Sequence, residues 1–103
     1  MIYIDSKEAF EKAIAQGVVL IDFYADWCGP CKMLAPELEA LSKEFEGKAK
    51  VIKVNVDEQR DLAMEYNISA IPTLYVTKDS SVEEKLVGFQ TKASLKEALE
   101  RHI

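Results

Sequence analysis

Of the 103 residues only two are cysteine, one is histidine and one is tryptophan, while four are glycine and three are proline. Two cysteines exclude a secreted disulfide scaffold, which needs more of them at wider spacing. Basic residues are outnumbered, 13 Lys and Arg against 18 Asp and Glu, for a net charge of −5. With no basic stripe, a nucleic-acid binder is not expected. No long apolar run exists. The longest, Val18 to Ala25, is interrupted by Asp22 and is too short to span a membrane. Residues 1–17 carry acidic groups and no apolar core segment, so no secretory signal is expected and the location reads as cytoplasmic. No linker, internal repeat or low-complexity tract breaks the chain. With 49% hydrophobic and 30% charged residues it has the profile of one globular domain over residues 1–103, expected to be a monomer. A chain of this length buries about two-thirds of its unfolded surface, enough for a core without metal or staples.

What is present is an alternation of short strands and helices. Ile2-Tyr3-Ile4 reads as a strand. Asp5-x-x-Glu8 resembles a capping box opening a helix that runs to about Gln16. Val18 to Ala25 is β-branched and aromatic, a central strand buried on both faces. A helix from about Pro30 to Glu46 carries Met33, Leu34, Leu38, Leu41 and Phe45, with Pro36 inside it as an expected kink. Val51 to Val56 is a second strand, and Arg60 to Tyr66 a short helix with Asn67 as its cap. Thr73–Val76 and Glu84–Val87 make a hairpin around Lys78-Asp79-Ser80-Ser81. Thr91 caps a last helix burying Leu95, Ala98, Leu99 and Ile103. Met33, Met64 and the helix aromatics are expected in the core. The order β-α-β-α-β-α-β-β-α implies an α/β fold, a mixed five-stranded sheet flanked by four helices.

The two cysteines stand together as Cys28-Gly29-Pro30-Cys31, after the buried strand and at the start of the long helix. A bridge across so small a loop constrains little chain entropy, so it is not a structural staple. Half of a zinc site is the alternative, but zinc wants three or four protein ligands. The only histidine, His102, is the penultimate residue and reads as a solvated helix end, so no metal is expected. Redox chemistry fits better. A helix N-terminus offers unpaired N–H groups and a positive dipole end, and both favour the attacking thiolate. Pro30 presets the helix, and Cys31 falls one turn along, within bridging distance.

The segment Asp22-Phe23-Tyr24-Ala25-Asp26-Trp27-Cys28-Gly29-Pro30-Cys31-Lys32 closely resembles the active-site segment of the thioredoxin family. Ala35-Pro36, Val54-Asn55-Val56-Asp57, Ile71-Pro72-Thr73-Leu74 and Val87-Gly88 follow in that family's order and spacing. The Gly-Pro pair between the cysteines is similar to the thioredoxin branch rather than to isomerase or oxidase relatives. The resemblance implies the thioredoxin fold and a dithiol–disulfide oxidoreductase. Cys28 is the implied nucleophile and Cys31 the resolving thiol. Clients are disulfide-containing proteins, and an external thioredoxin reductase restores the dithiol. No Gly-rich dinucleotide site occurs, so no cofactor is expected. Two other readings stay open: an oxidant or isomerase on the same fold, and a binding subunit in which the cysteines are incidental.

The remaining site residues each have two readings. Asp22 interrupts a buried strand. It is either an edge-facing carboxylate or a buried carboxyl that takes the Cys31 proton, burial raising its proton affinity. Lys53 is either a strand lysine reaching solvent or a modulator of Asp22, as the resemblance implies. Pro72 is trans on base rates but cis and facing the cysteines by resemblance, which turns Ile71 toward them. Trp27 is expected to be partly exposed beside the thiols. Gly88 is either a strand-end turn or a point where a partner's backbone comes close. Together Trp27, Gly29, Pro30, Ile71, Pro72, Gly88 and Phe89 are expected to form a small, nearly uncharged docking face. Asp57, Glu58 and Asp61 read as a solvated acidic face. Three positions depart from the family pattern. Tyr24 replaces a second tryptophan. Ser69-Ala70 lack a common glycine, implying a stiffer or differently shaped loop. Asp79-Ser80-Ser81 also lack a glycine, implying a loose hairpin turn.

Overall fold

Alternation along one strand decides which helices lie where. In a computed structural model describing residues 1–103, β2 (Val18–Tyr24) is buried almost throughout. Val18 and Leu20 join Leu34, Leu38, Leu41 and Phe45 of the second-helix segment and Leu95, Ala98 and Leu99 near the C-terminus. Val19, Ile21 and Phe23 point the other way, toward Phe10, Ala13, Ile14 and Leu62. Successive residues of a strand face opposite sides, so a continuous apolar run demands cover on both. That cover is α2 (Gly29–Glu44) and α4 (Lys92–Glu100) on one face, α1 (Lys7–Ile14) and α3 (Arg60–Glu65) on the other. Each large apolar side chain fully buried in these two layers contributes about 1.5–3 kcal/mol relative to exposure.

The other strands are β1 (Ile2–Tyr3), β3 (Ala49–Asn55), β4 (Thr73–Lys78) and β5 (Ser81–Val87). They form one five-stranded sheet in the order β1-β3-β2-β4-β5. β3 runs parallel to β1 and β2, while β4 runs antiparallel to β2 and β5. The expected mixed sheet and four helices are therefore present. The register sets Asp22 opposite Lys53 on one side and Leu74 on the other. No helix is long and apolar enough to cross a membrane.

Several local expectations change. The first helix is capped by Ser6, whose side chain accepts the Ala9 N–H at 3.0 Å, not by Asp5. The helix therefore starts one residue later than the Asp5-x-x-Glu8 pattern suggests. Met33 is 64% exposed and Met64 75% exposed, so neither is core. Leu34, Leu38 and Leu41 already fill the inner stripe of α2, and Leu62 is the one fully buried residue of α3. Ile103 is exposed too. His102 is not solvated: its Nε2 lies 3.4 Å from Glu84 Oε1, beside the paired contact of Arg101 with the same carboxylate.

The hairpin turn is tight rather than loose. Asp79 and Ser80 both have positive φ, 49° and 69°, as a type I′ turn requires. The turn is hooked to the start of β2, the Asp79 N–H donating to the Gly17 carbonyl and Asp79 Oδ1 accepting the Gly17 N–H. That anchorage holds a left-handed conformation that a serine adopts only at a cost. Ser80→Gly is expected to raise stability by about 0.5 kcal/mol, the relief of that cost less the added chain entropy of glycine. Urea denaturation checks it, and a lower midpoint would show that the Ser80 side chain repays its backbone.

Candidate active site

The chain leaves β2 and turns through Ala25, whose carbonyl accepts the Cys28 N–H at 3.3 Å. Cys28 has extended backbone, φ −88° and ψ 113°, and is the N-cap of α2. Its Sγ accepts the Cys31 N–H at 3.2 Å, the place a serine or aspartate oxygen takes in other helices. Pro30 sits in the first turn, where its missing N–H is not needed. The helix thus begins at Gly29, one residue before the expected start. Cys28 and Cys31 form a disulfide with Cα atoms 5.2 Å apart, inside the ordinary bridging range.

Both cysteines are buried, to nearly the same degree. Burial alone therefore does not distinguish them, but position at the helix end does. Cys28 lies at the cap, where orphan N–H groups and the dipole stabilise a thiolate. Cys31 belongs to the inner stripe of α2 with Leu34, Leu38 and Leu41. That stripe covers the sheet face carrying Val18, Leu20 and, two residues on, Asp22.

Asp22 is completely buried, and neither carboxylate oxygen has a hydrogen-bond partner. Burial pushes its pKa from the ordinary 3.8 up to about 7, with the attraction of Lys53 acting the other way. Lys53 Nζ lies 3.9 Å from Asp22 Oδ2, and its side chain is 7% exposed. The lysine side chain is therefore held largely buried instead of extending freely into solvent. A cleft lined by Tyr3, Tyr24, Asp26, Cys31, Lys32 and Lys53 runs between α2 and the sheet, giving solvent a way toward Cys31 and Lys53.

Opposite the cysteines, the Ile71–Pro72 peptide bond is cis. The Ile71 carbonyl oxygen lies 3.8 Å from Cys28 Sγ. Gly88 adopts φ 91° and donates its N–H to the Pro72 carbonyl at 2.8 Å, fixing the end of β5 beside this loop. A side chain built at Gly88 or Gly29 would meet nothing within 4 Å, so both open outward. Trp27 is 70% exposed and Phe89 is also exposed. The Ile71 carbonyl thus lies beside Cys28 and Gly88 is tied to Pro72, while Pro72 itself is buried.

That face is less neutral than expected. The Trp27 indole donates to Asp57 Oδ2 at 2.8 Å, so a carboxylate meets its edge. Asp57 is aimed by buried Asn55, whose Oδ1 accepts the N–H groups of Asp57 and Glu58. Asn55, Asp57 and Tyr3 were not singled out from the sequence as site residues. An Asx-turn signal, Asn55 two residues before an acid, marks the first two. No group of three or more His, Cys, Asp or Glu side chains is arranged to hold a metal ion.

Comparison with known proteins covers the stretch of chain that carries this site. The family model described as Thioredoxin matches residues 1–101. The thioredoxin of Staphylococcus aureus is 49% identical over 94 residues, covering 91% of this chain and 90% of that one. Among solved structures, the thioredoxins of Fasciola hepatica and Plasmodium falciparum both superpose with a TM-score of 0.91 over the full length of each chain, at 34% and 36% identity. Likeness of sequence and likeness of fold thus extend together across the helix-capping cysteine pair: the chain belongs to the thioredoxin family and is a thiol–disulfide oxidoreductase with Cys28 and Cys31 as its redox pair.

Proposed function

We propose that this chain, acting as one domain over residues 1–103, is a reductant of protein disulfides that an external thioredoxin reductase restores. The direction of flow rests on the likeness to thioredoxins, and the observation that assigns the attacking sulfur is the cap: Cys28 Sγ takes the Cys31 N–H at the positive end of α2. In the dithiol form the same N–H favours a Cys28 thiolate. That thiolate attacks one sulfur of a client disulfide. The client S–S bond breaks, a Cys28–client disulfide forms, and a client thiolate leaves and takes a proton from water.

Cys31 then resolves the intermediate. Its proton passes to the Asp22 carboxylate, and its sulfur attacks Cys28 Sγ. The mixed disulfide breaks, the Cys28–Cys31 bond closes, and the second client thiolate is released. Two electrons have moved to the client. Asp22 suits the proton step because burial holds its pKa at about 7, so both forms are populated near neutrality. Lys53, 3.9 Å away, modulates that balance.

Client segments dock in extended form along Ile71 and Pro72, with Trp27, Gly29, Pro30, Gly88 and Phe89 around the approach. The open space at Gly29 and Gly88 supports a close backbone approach. Equilibration with glutathione buffers tests the direction. The couple is expected on the reducing side of the cytosolic glutathione poise, about −220 to −260 mV by extraction. A potential near −120 mV would assign an oxidant instead.

A further inference from the structure

Lys53 is held by more than Asp22. Its Nζ lies over the Tyr24 ring, 4.2 Å from the centroid, and over the Tyr3 ring at 5.5 Å. The 3.9 Å to Asp22 Oδ2 is too long for a hydrogen bond. A lysine on a strand is ordinarily free to carry its ammonium out to water along its flexible stem. Here the side chain stays buried although a cleft opens beside it. The two rings come from different strands. Tyr24 lies two residues beyond Asp22 on β2, on the same face. Tyr3 is 62% exposed and belongs to the two-residue edge strand, where its register partner is Lys53 itself. The Ile4 N–H donates to the Lys53 carbonyl at 2.9 Å and fixes that register.

We propose that Tyr3 is a positioning residue for the thiol–disulfide reaction: with Tyr24 it holds the Lys53 ammonium inward over two ring faces, beside Asp22, so that the Asp22 carboxylate form stays available to accept the Cys31 proton. The proposal rests on the reading of Asp22 as proton acceptor. It explains why so short an edge strand carries an exposed aromatic: the strand delivers a ring to Lys53 rather than length to the sheet. A cation over an aromatic face is attracted by the ring quadrupole, and most strongly where water is excluded.

The other groups facing this pair are few. Asp26 follows β2, and Lys32 of α2 lines the cleft; both are exposed and screened by salt. Glu58 acts on Tyr24 from beyond β3. Cys31 comes from α2, and β4 offers uncharged Leu74 opposite Asp22.

The test is titration of the Asp22 carboxyl by 13C NMR in the oxidised protein, where the cysteines do not titrate. Tyr3→Phe keeps the ring face and is expected to keep the wild-type midpoint. Tyr3→Leu fills space without a ring and is expected to raise the midpoint by about half a pH unit. An unmoved or lowered midpoint in Tyr3→Leu overturns the proposal, as does an equal shift in Tyr3→Phe. The pH profile of the resolving step is read on the same variants. It is expected to follow the carboxyl midpoint upward in Tyr3→Leu with its high-pH plateau retained. A moved carboxyl with an unmoved profile overturns the proton-acceptor role of Asp22, and the catalytic part of the proposal with it, and leaves the ring contacts as structure alone.

Discussion

Cys31→Ser is expected to arrest the protein on its client, as a covalent mixed disulfide through Cys28. The substitution removes the resolving sulfur but leaves the capped Cys28 and the docking loop around it. Attack on the client still occurs, because it needs only the Cys28 thiolate. Release then depends on a thiol from solution. In the native chain the resolving sulfur sits three residues away, with Cα atoms 5.2 Å apart, at the start of a helix that fixes both ends. Well-oriented intramolecular groups act at effective concentrations of about 10⁵ M and above, against millimolar external thiol. Catalytic turnover in insulin-disulfide reduction is therefore expected to fall by more than about 10³-fold. Non-reducing mass spectrometry should show the adduct, and Cys28→Ser should show none. Adducts on the Cys28→Ser protein would reverse the roles of the two sulfurs. Undiminished turnover by Cys31→Ser would make the pair incidental to a binding function.

The periodic elements were legible because local chemistry and burial agree in them. Val18 to Tyr24 is apolar on both faces and is covered on both, and Thr91 caps α4 as its side chain suggests. The cysteine pair was legible for the same reason: a turn, a proline and a helix start coincide on it. What resisted reading depends on contacts between distant segments. Asp57 looked like a solvated acid because nothing local ties it to Trp27, 30 residues away in sequence. Met33 neighbours Leu34 in sequence, yet it lies more than a quarter of a turn off the stripe of Leu34, Leu38 and Leu41 and stays in water. The turn at Asp79 and Ser80 lacks glycine, and its anchoring bonds run to Gly17, far off in sequence. In sequence Tyr3 is a strand residue and nothing more, because its partner is set by the β1–β3 register. At Asp22 the local rule fails in an informative way. A carboxyl in the middle of a buried strand opposes the fold, and the structure gives it no hydrogen bond in return.

That opposition sets the second large effect, in Asp22→Asn. Asp22 ionises near 3.8 in the unfolded chain and at about 7 in the folded one. Between those values the folded state keeps a proton that the unfolded state has released. Unfolding then releases a proton, so wild-type stability falls as pH rises from about 4 to about 7 and levels off above. Some three pKa units correspond to on the order of 4 kcal/mol across that window. Asparagine has no such titration. The stability difference between Asp22→Asn and wild type should therefore grow in favour of the variant through the same window. The variant should be the more stable protein at pH 8. Loss of the Lys53 attraction offsets only part of this, because that attraction does not hold the carboxyl at its ordinary value even in the wild type. Denaturant unfolding of the oxidised proteins at pH 5 and pH 8 checks the sign, and parallel profiles would mean that water reaches the carboxyl in solution. Function should move the opposite way. Without a proton acceptor the resolving step is expected to slow about 10²-fold at neutral pH, the low end of what positioned acid–base groups contribute. The inflection of its pH profile near 7 should vanish with the carboxyl. A variant that gains stability and loses neither rate nor inflection would reduce Asp22 to a buried burden. Gain and loss together would show that the chain gives up folding free energy at this position to keep a proton acceptor beneath Cys31.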